Sequence, residues 1–308
     1  MTGPMGTTMY RKVVVGYDDT EQAKDALALG RQLADATGAA LIAAGVVAID
    51  SMWAGVDAHL GDADAQFPRK LEEAADAAGA RPELVPSSSP AQGLHELAET
   101  IGADLIVVGS ASRTNLAGSL AGTTAVALLN GSPCAVAIAP RGYRALGGRA
   151  ITAVVTGFDG SAESGDALTT AGRLAAATGA KLKLVVVAVP PPRAAREAEP
   201  NGWHRLLEAA ENEAREQLAE GRNAAPDGVE LEASLVSGDA AQALASVANM
   251  PGTVLVVGSR GYGPLRRVLI GSVASSLVGS ARCPLIVTPR GMHETADADP
   301  AAELENAL

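Results

Sequence analysis

The sequence predicts an α/β protein built from two tandem, doubly wound, five-strand parallel-sheet domains. Three observations point there. First, the chain repeats itself with a period of about 140 residues: VVVGYDD at Val13–Asp19 answers to AVVTGFDGS at Ala153–Ser161, and ADLIVVGS at Ala103–Ser110 answers to GTVLVVGS at Gly252–Ser259. Such a period is too long for a solenoid and marks a duplicated domain. Second, short apolar runs alternate with helical patterns inside each copy, which implies right-handed crossovers and a parallel sheet with helices on both faces. Third, 47% of the 308 residues are hydrophobic but only 3% are aromatic. Cores must then be built from Ala, Val, Leu and Ile, which suits buried parallel strands under Ala-rich helices.

In the second copy the strand candidates are Ile151–Phe158, Lys181–Val189, Val229–Val236, Thr253–Gly258 and Pro284–Thr288. Helix candidates lie between them at Ala162–Thr178, Trp203–Glu220, Ala240–Ala248 and Ser272–Ala281. Gly179 and Gly221 stand where helix C-cap glycines are expected. Each copy closes on a short apolar strand and an arginine, CAVAIAPRGY from Cys134 and CPLIVTPRGM from Cys283. The two cysteines read as small buried apolar residues. The boundaries follow: residues 1–141 form the first domain, 142–149 a slack, glycine-rich linker, 150–290 the second domain, and 291–308 a solvated acidic tail.

Charge narrows the partners. A net charge of −11 argues against nonspecific nucleic-acid binding, which rests on Lys and Arg against phosphates, and against adhesion to an anionic membrane. No apolar run reaches the eighteen or so residues of a membrane span. No charged-then-apolar leader opens the chain, which predicts a cytoplasmic protein. The four histidines are scattered without metal-ligand spacing. A Walker lysine, a Gly-x-Ser-x-Gly elbow and a Gly-x-Gly-x-x-Gly after the first strand are all absent from the sequence.

The glycines carry the chemistry. In an open α/β sheet, ligands bind beyond the carboxyl ends of the strands, where the strand order reverses. Gly258 ends the fourth strand of the second copy. Gly271-Ser272 follows at an interval of thirteen residues and opens a helix. A helix start offers free N–H groups and partial positive charge to an anion. Arg266 and Arg267 lie between, so a phosphate chain suits the space between loop and helix. Asp159 follows the first strand, and its plainer role is to form a turn and cap the next helix. A proline-rich loop at Pro190–Trp203 is read as a solvated loop, with a flap over the pocket as the alternative.

Gly258-x-x-Gly261, nine residues, then Gly271-Ser272 resembles the nucleotide-binding motif of the universal stress protein family. GFDGS (Gly157–Ser161) and VVGSRG (Val256–Gly261) are similar to that family too, and the likeness covers about residues 10–141 and 150–290. The resemblance implies a Rossmann-like, adenine nucleotide alpha hydrolase-like fold in both halves. It implies ATP between the ends of the first and fourth strands, and leaves open whether Mg²⁺ accompanies it. Asp159 would then face the adenosine and Val187 would line the adenine pocket. Gly258 and Gly261 would admit ribose and phosphates, and Gly271, Ser272 and Val273 would hold the phosphates. In the first copy Asp18, Val46, Gly109, Gly122 and Thr123 answer to these residues, but Ser112 stands where Gly261 is expected, and Ala117-Gly118 answer to the arginine pair. The family is usually a nucleotide-responsive regulator without robust catalysis. A slow ATPase or nucleotide-transfer enzyme on the same pocket is the alternative, and a partner-binding protein with vestigial pockets a third reading. In the family it resembles, the last strand typically pairs with its counterpart across a dimer, and a tandem chain can satisfy that internally, which predicts pseudo-symmetric pairing of the two domains through their last strands. A homodimer of the whole chain stays open.

Overall fold

The computed structural model describes residues 9–48, 62–110, 123–191, 200–259 and 270–289. The first half runs β1 (Lys12–Gly16), α1 (Glu21–Thr37), β2 (Ala40–Ala48), α2 (Asp62–Ala78), β3 (Arg81–Ser87), α3 (Pro90–Ile101), β4 (Leu105–Gly109), α4 (Thr123–Leu128) and β5 (Ala135–Ala139). The second half repeats it: β6 (Ala153–Gly157), α5 (Ala162–Thr178), β7 (Lys181–Ala188), α6 (Pro200–Ala224), β8 (Leu231–Ser237), α7 (Ala240–Ala248), β9 (Thr253–Gly258), α8 (Ser272–Ser280) and β10 (Leu285–Thr288). No described helix is long and apolar enough to cross a membrane.

All strands join one ten-stranded sheet in the order β3-β2-β1-β4-β5-β10-β9-β6-β7-β8. Within each half the pairs are parallel. At the seam β10 runs antiparallel to β5, with Leu285 opposite Ile138 and Val287 opposite Val136. In each half the order reverses at the first and fourth strands, the place where open α/β sheets bind ligands beyond the strands' carboxyl ends. The central strands are continuous apolar runs because helices cover both faces: Val13, Val14 and Val15 are all fully buried. Alternation along the strand sends Val13 and Val15 to one core layer with Leu29, Leu33 and Leu174, and Val14 to the other with Leu94, Leu244 and Leu277. Cys134 and Cys283 are buried free thiols.

Helix ends follow their local chemistry. Thr20 caps α1 by accepting from the Ala23 N–H, and Ser161 caps α5 by accepting from Ser164. Gly38 and Gly179 close those helices in the left-handed conformation, with φ of 71° and 67°. Gly221 corrects the sequence reading. It is no C-cap, for α6 continues to Ala224. A Cβ there would stand 2.9 Å from Leu184 Cδ2 and 3.0 Å from Phe158 Cδ1, so glycine lets the helix lie close on the sheet. The strand over Ile151–Phe158 shortens to Ala153–Gly157, because Thr152 N–H turns to the carbonyl of Gly252 at 2.8 Å.

The linker is not slack. Tyr143–Leu146 form a 3₁₀ turn that lies on α1. Asp25, only 4% exposed, accepts from the Gly142 N–H at 2.7 Å and the Arg144 N–H at 2.8 Å, one on each carboxylate oxygen. Tyr143 Oη bonds Gln32 Oε1, and Gln32 Nε2 donates to the Arg149 carbonyl at 2.9 Å. Arg144 reaches Glu21 at 2.6 Å. Asp25→Asn turns one of the two acceptors into a donor facing an N–H. Stability should fall by about 1–3 kcal/mol, measured as a lower denaturant midpoint at unchanged slope.

Candidate functional site

The crevice beyond β6 and β9 is a cavity of about 350 Å³. Its wall brings together Asp159, Val187, Gly258, Gly271, Ser272 and Val273. These come from four separate places in the second copy: the turn after β6, the end of β7, the end of β9 and the start of α8. Gly261, Arg266 and Arg267 lie outside the described residues, as does the loop at 192–199. Phe158, Leu244 and Ser259 also line the cavity and escaped the sequence reading. Glu163 is a second carboxylate in the wall beside Asp159, where the sequence placed one.

Asp159 has two tasks. Its Oδ1 accepts from the Ser161 hydroxyl at 2.5 Å and the Ser161 N–H at 3.1 Å, so it holds the cap of α5, as the turn-forming reading requires. Both of these bonds fall on Oδ1. Burial raises the carboxyl's pKa, but hydrogen bonds from Ser161, Ser164 and the backbone together outweigh it, and the net pKa lies below the ordinary carboxylate value. The group is an anion at neutral pH and suits a hydroxyl or amine donor.

The α8 side of the cavity is built from backbone. Gly271 is the N-cap of α8, with φ of −84°, ψ of 169° and no side-chain cap bond. The first α8 carbonyl–amide bond runs from Ser275 N–H to Gly271 O, so the earlier N–H groups of that turn have no helical acceptor. Residues Gly271 to Ala274 line the cavity, and that free turn opens on it. Ser259 is 7% exposed, and its hydroxyl has no hydrogen-bond partner among the described residues. A buried unpaired hydroxyl is costly, and this one stands at the cavity edge.

Gly258 is explained by packing. A Cβ there would lie 2.4 Å from the Glu163 carbonyl oxygen. The last residue of β9 must therefore be bare so that the first turn of α5 can lie across it. Gly109 obeys the same rule in the first half, 2.4 Å from the Gln22 carbonyl oxygen.

The first half rebuilds part of the site. Asp18 Oδ1 accepts from Thr20 Oγ1 at 2.5 Å and Thr20 N–H at 3.1 Å, the same turn as at Asp159. Val46 is half-buried near the end of β2, Gly109 ends β4 and Thr123 opens the short α4. Gly122, Ser112, Arg113, Ala117 and Gly118 lie outside the described residues. One described difference separates the rims. Gly160, with φ of 78°, becomes Asp19, with φ of 61°. A side chain in that region costs about 1–2 kcal/mol. Asp19 is held there by Lys70 at 2.8 Å, Lys24 at 3.3 Å and the Tyr17 hydroxyl at 3.2 Å. Hydrogen bonds from Lys70, then Lys24, pull its carboxyl down to about 2.

Comparison with known proteins agrees with this architecture. A family model described as the universal stress protein family matches residues 9–140 and again 151–289. Universal stress proteins of Mycobacterium tuberculosis and Mycobacterium bovis are each 31% identical over 207 residues, covering 65% of this chain and 69% of theirs. The crystal structure of a universal stress protein from Archaeoglobus fulgidus superposes with a TM-score of 0.60 at 20% identity, covering 93% of this chain and 98% of that one, a likeness of fold. With its two tandem matches spanning both halves of the sheet, the chain belongs to the universal stress protein family.

Proposed function

We propose that this chain is a cytoplasmic, ATP-binding stress-response regulator that holds its nucleotide without fast turnover. One observation carries the proposal: a single cavity gathers Asp159, Val187, Gly258, Gly271, Ser272 and Val273 from four distant stretches of sequence. Val187, Leu244 and Phe158 offer apolar walls to a base. The Asp159 carboxylate in the cavity wall is an acceptor for a ribose hydroxyl. The open turn of α8 and the unpaired Ser259 hydroxyl are donors for phosphate oxygens. The two halves act as a pseudo-symmetric pair across the β5–β10 seam. A slow hydrolytic activity on the same pocket is the second reading, and Glu163 in the wall is the group that favours it. Protein purified without added nucleotide and then denatured should release ATP or ADP, identified by mass spectrometry. Release of no nucleotide, together with no calorimetric signal on ATP addition, overturns the proposal. Phosphate release from bound ATP would favour the hydrolytic reading.

The two pockets should be unequal. Ser112 brings a Cβ to the place of Gly261, the arginine pair has no counterpart, and Asp19 with its two lysines stands where Gly160 is bare. The first pocket should bind ATP about tenfold more weakly, about 1.4 kcal/mol. The measurement is ATP titration of the full chain read as two binding steps, of which Gly271→Gln weakens the tighter and so assigns it to the second pocket. Ser112→Gly in the otherwise native chain should strengthen the weaker step. If it weakens binding instead, the serine donates to the phosphates and the order of the pockets is wrong.

A further inference from the structure

A second cavity lies under the docked linker, at the amino-terminal edge of the second half of the sheet. It holds about 210 Å³ and is bounded by the linker on one side and by the Asn249–Val254 turn and Arg282–Pro284 on the other. It is separate from the cavity described above and shares no lining residue with it.

Three features mark it as a built site. Its walls are fixed. The linker is bonded to α1 through Asp25 and Gln32. Beyond it, Thr152 N–H meets Gly252 O at 2.8 Å. Gly252, at φ 79°, lies so close that a Cβ would stand 2.9 Å from the Ala150 carbonyl. Its surface is apolar where an apolar surface is least expected: Leu146 and Met250 line it while 51% and 63% exposed, joined by Ile151 and Pro251. Its charge opposes that of the protein. The chain carries −11, yet the lining holds Arg149 and Arg282 and no Asp or Glu. Both arginines are exposed and neither is in a salt bridge among the described residues.

We infer that this cleft binds a small amphipathic carboxylate, its apolar body against Met250, Leu146 and Ile151 and its charge on Arg149 and Arg282. Small-molecule sites are concave and mostly apolar, with a few polar groups that fix orientation. Guanidinium groups meet carboxylates through paired N–H donors. The cleft is preformed, so little ordering opposes binding. The ligand would sit between the linker and the second half and touch both.

Octanoate is the probe, added to the full chain labelled with ¹³C at the methionine methyls. Met250→Leu assigns the Met250 signal. Octanoate should shift that signal with a dissociation constant of about 1 mM or tighter. The double variant Arg149→Gln/Arg282→Gln, at two exposed positions, should keep its circular dichroism and bind octanoate at least about tenfold more weakly. Octan-1-ol, with the chain but no charge, should bind at least about tenfold more weakly than octanoate. Inorganic phosphate, with charge but no chain, should leave Met250 unmoved. A Met250 signal indifferent to octanoate overturns the inference. So does equal binding by the double variant, by octan-1-ol or by phosphate.

Discussion

Replacing Gly271 by Gln lowers ATP affinity at the second pocket at least about tenfold, about 1.4 kcal/mol, while the fold survives. The backbone decides the second half of that statement. Gly271 has φ of −84° and ψ of 169°, an extended conformation open to any residue. Its carbonyl still accepts from Ser275, so α8 keeps its first bond. The side chain is the problem. Gly271 borders the cavity together with Ser272 and Val273, where the proposed function puts the phosphates. A Gln side chain at that border would compete with them for space. Calorimetric titration of the folded variant is the measurement, and an unchanged affinity would move the phosphate site away from α8.

Gly258→Ala should destabilise the whole protein, by about 1–3 kcal/mol as for other overpacked cores, whether or not a nucleotide is present. The added methyl would meet the Glu163 carbonyl oxygen at 2.4 Å and its carbon at 2.8 Å. Both are backbone atoms of a capped helix, so no flexible side chain can give way. The strand end or the first turn of α5 must shift, and that turn carries Ser161, the partner of Asp159. Gly109→Ala should cost the first half a similar amount, because Gln22 stands in the same relation. Urea unfolding without ligand separates the two roles of this glycine. Wild-type stability with lost ATP binding would return Gly258 to the ligand and refute the packing account.

The residues show what a sequence can and cannot disclose. Gly258, Gly271, Ser272 and Asp159 were legible because each ends or begins an element, and element ends carry local chemistry. Val187 was legible through the family resemblance alone. The reason for Gly258 was not. A close approach between a strand end and a helix ninety-five residues earlier in the chain (258 − 163) leaves no local trace, and glycine looks the same whether it makes room for a helix or a ligand. Phe158, Leu244 and Ser259 were missed for a related cause. Nothing in their own stretches tells which residue faces the crevice and which the core. Gly221 was misplaced because a glycine near a helix end suggests a cap, whereas its job is contact with Leu184. The linker was misread most. Gly142, Gly147 and Gly148 suggested slack, but all three have positive φ and shape a fixed turn. The trace of that turn lay far away, in Asp25, a carboxylate set among the buried residues of α1.

That fixed turn and the β5–β10 seam belong to one covalent chain. Two separate chains joined by the same seam would part on dilution, since the occupancy of such a dimer depends on how many copies are present. Here the joining is unimolecular. Its equilibrium contains no protein concentration, and the docked linker has already lost the freedom that a loose tether would keep. The fraction of molecules with both halves joined is therefore the same from the first molecule made, at an abundance where a two-chain dimer would still be monomers.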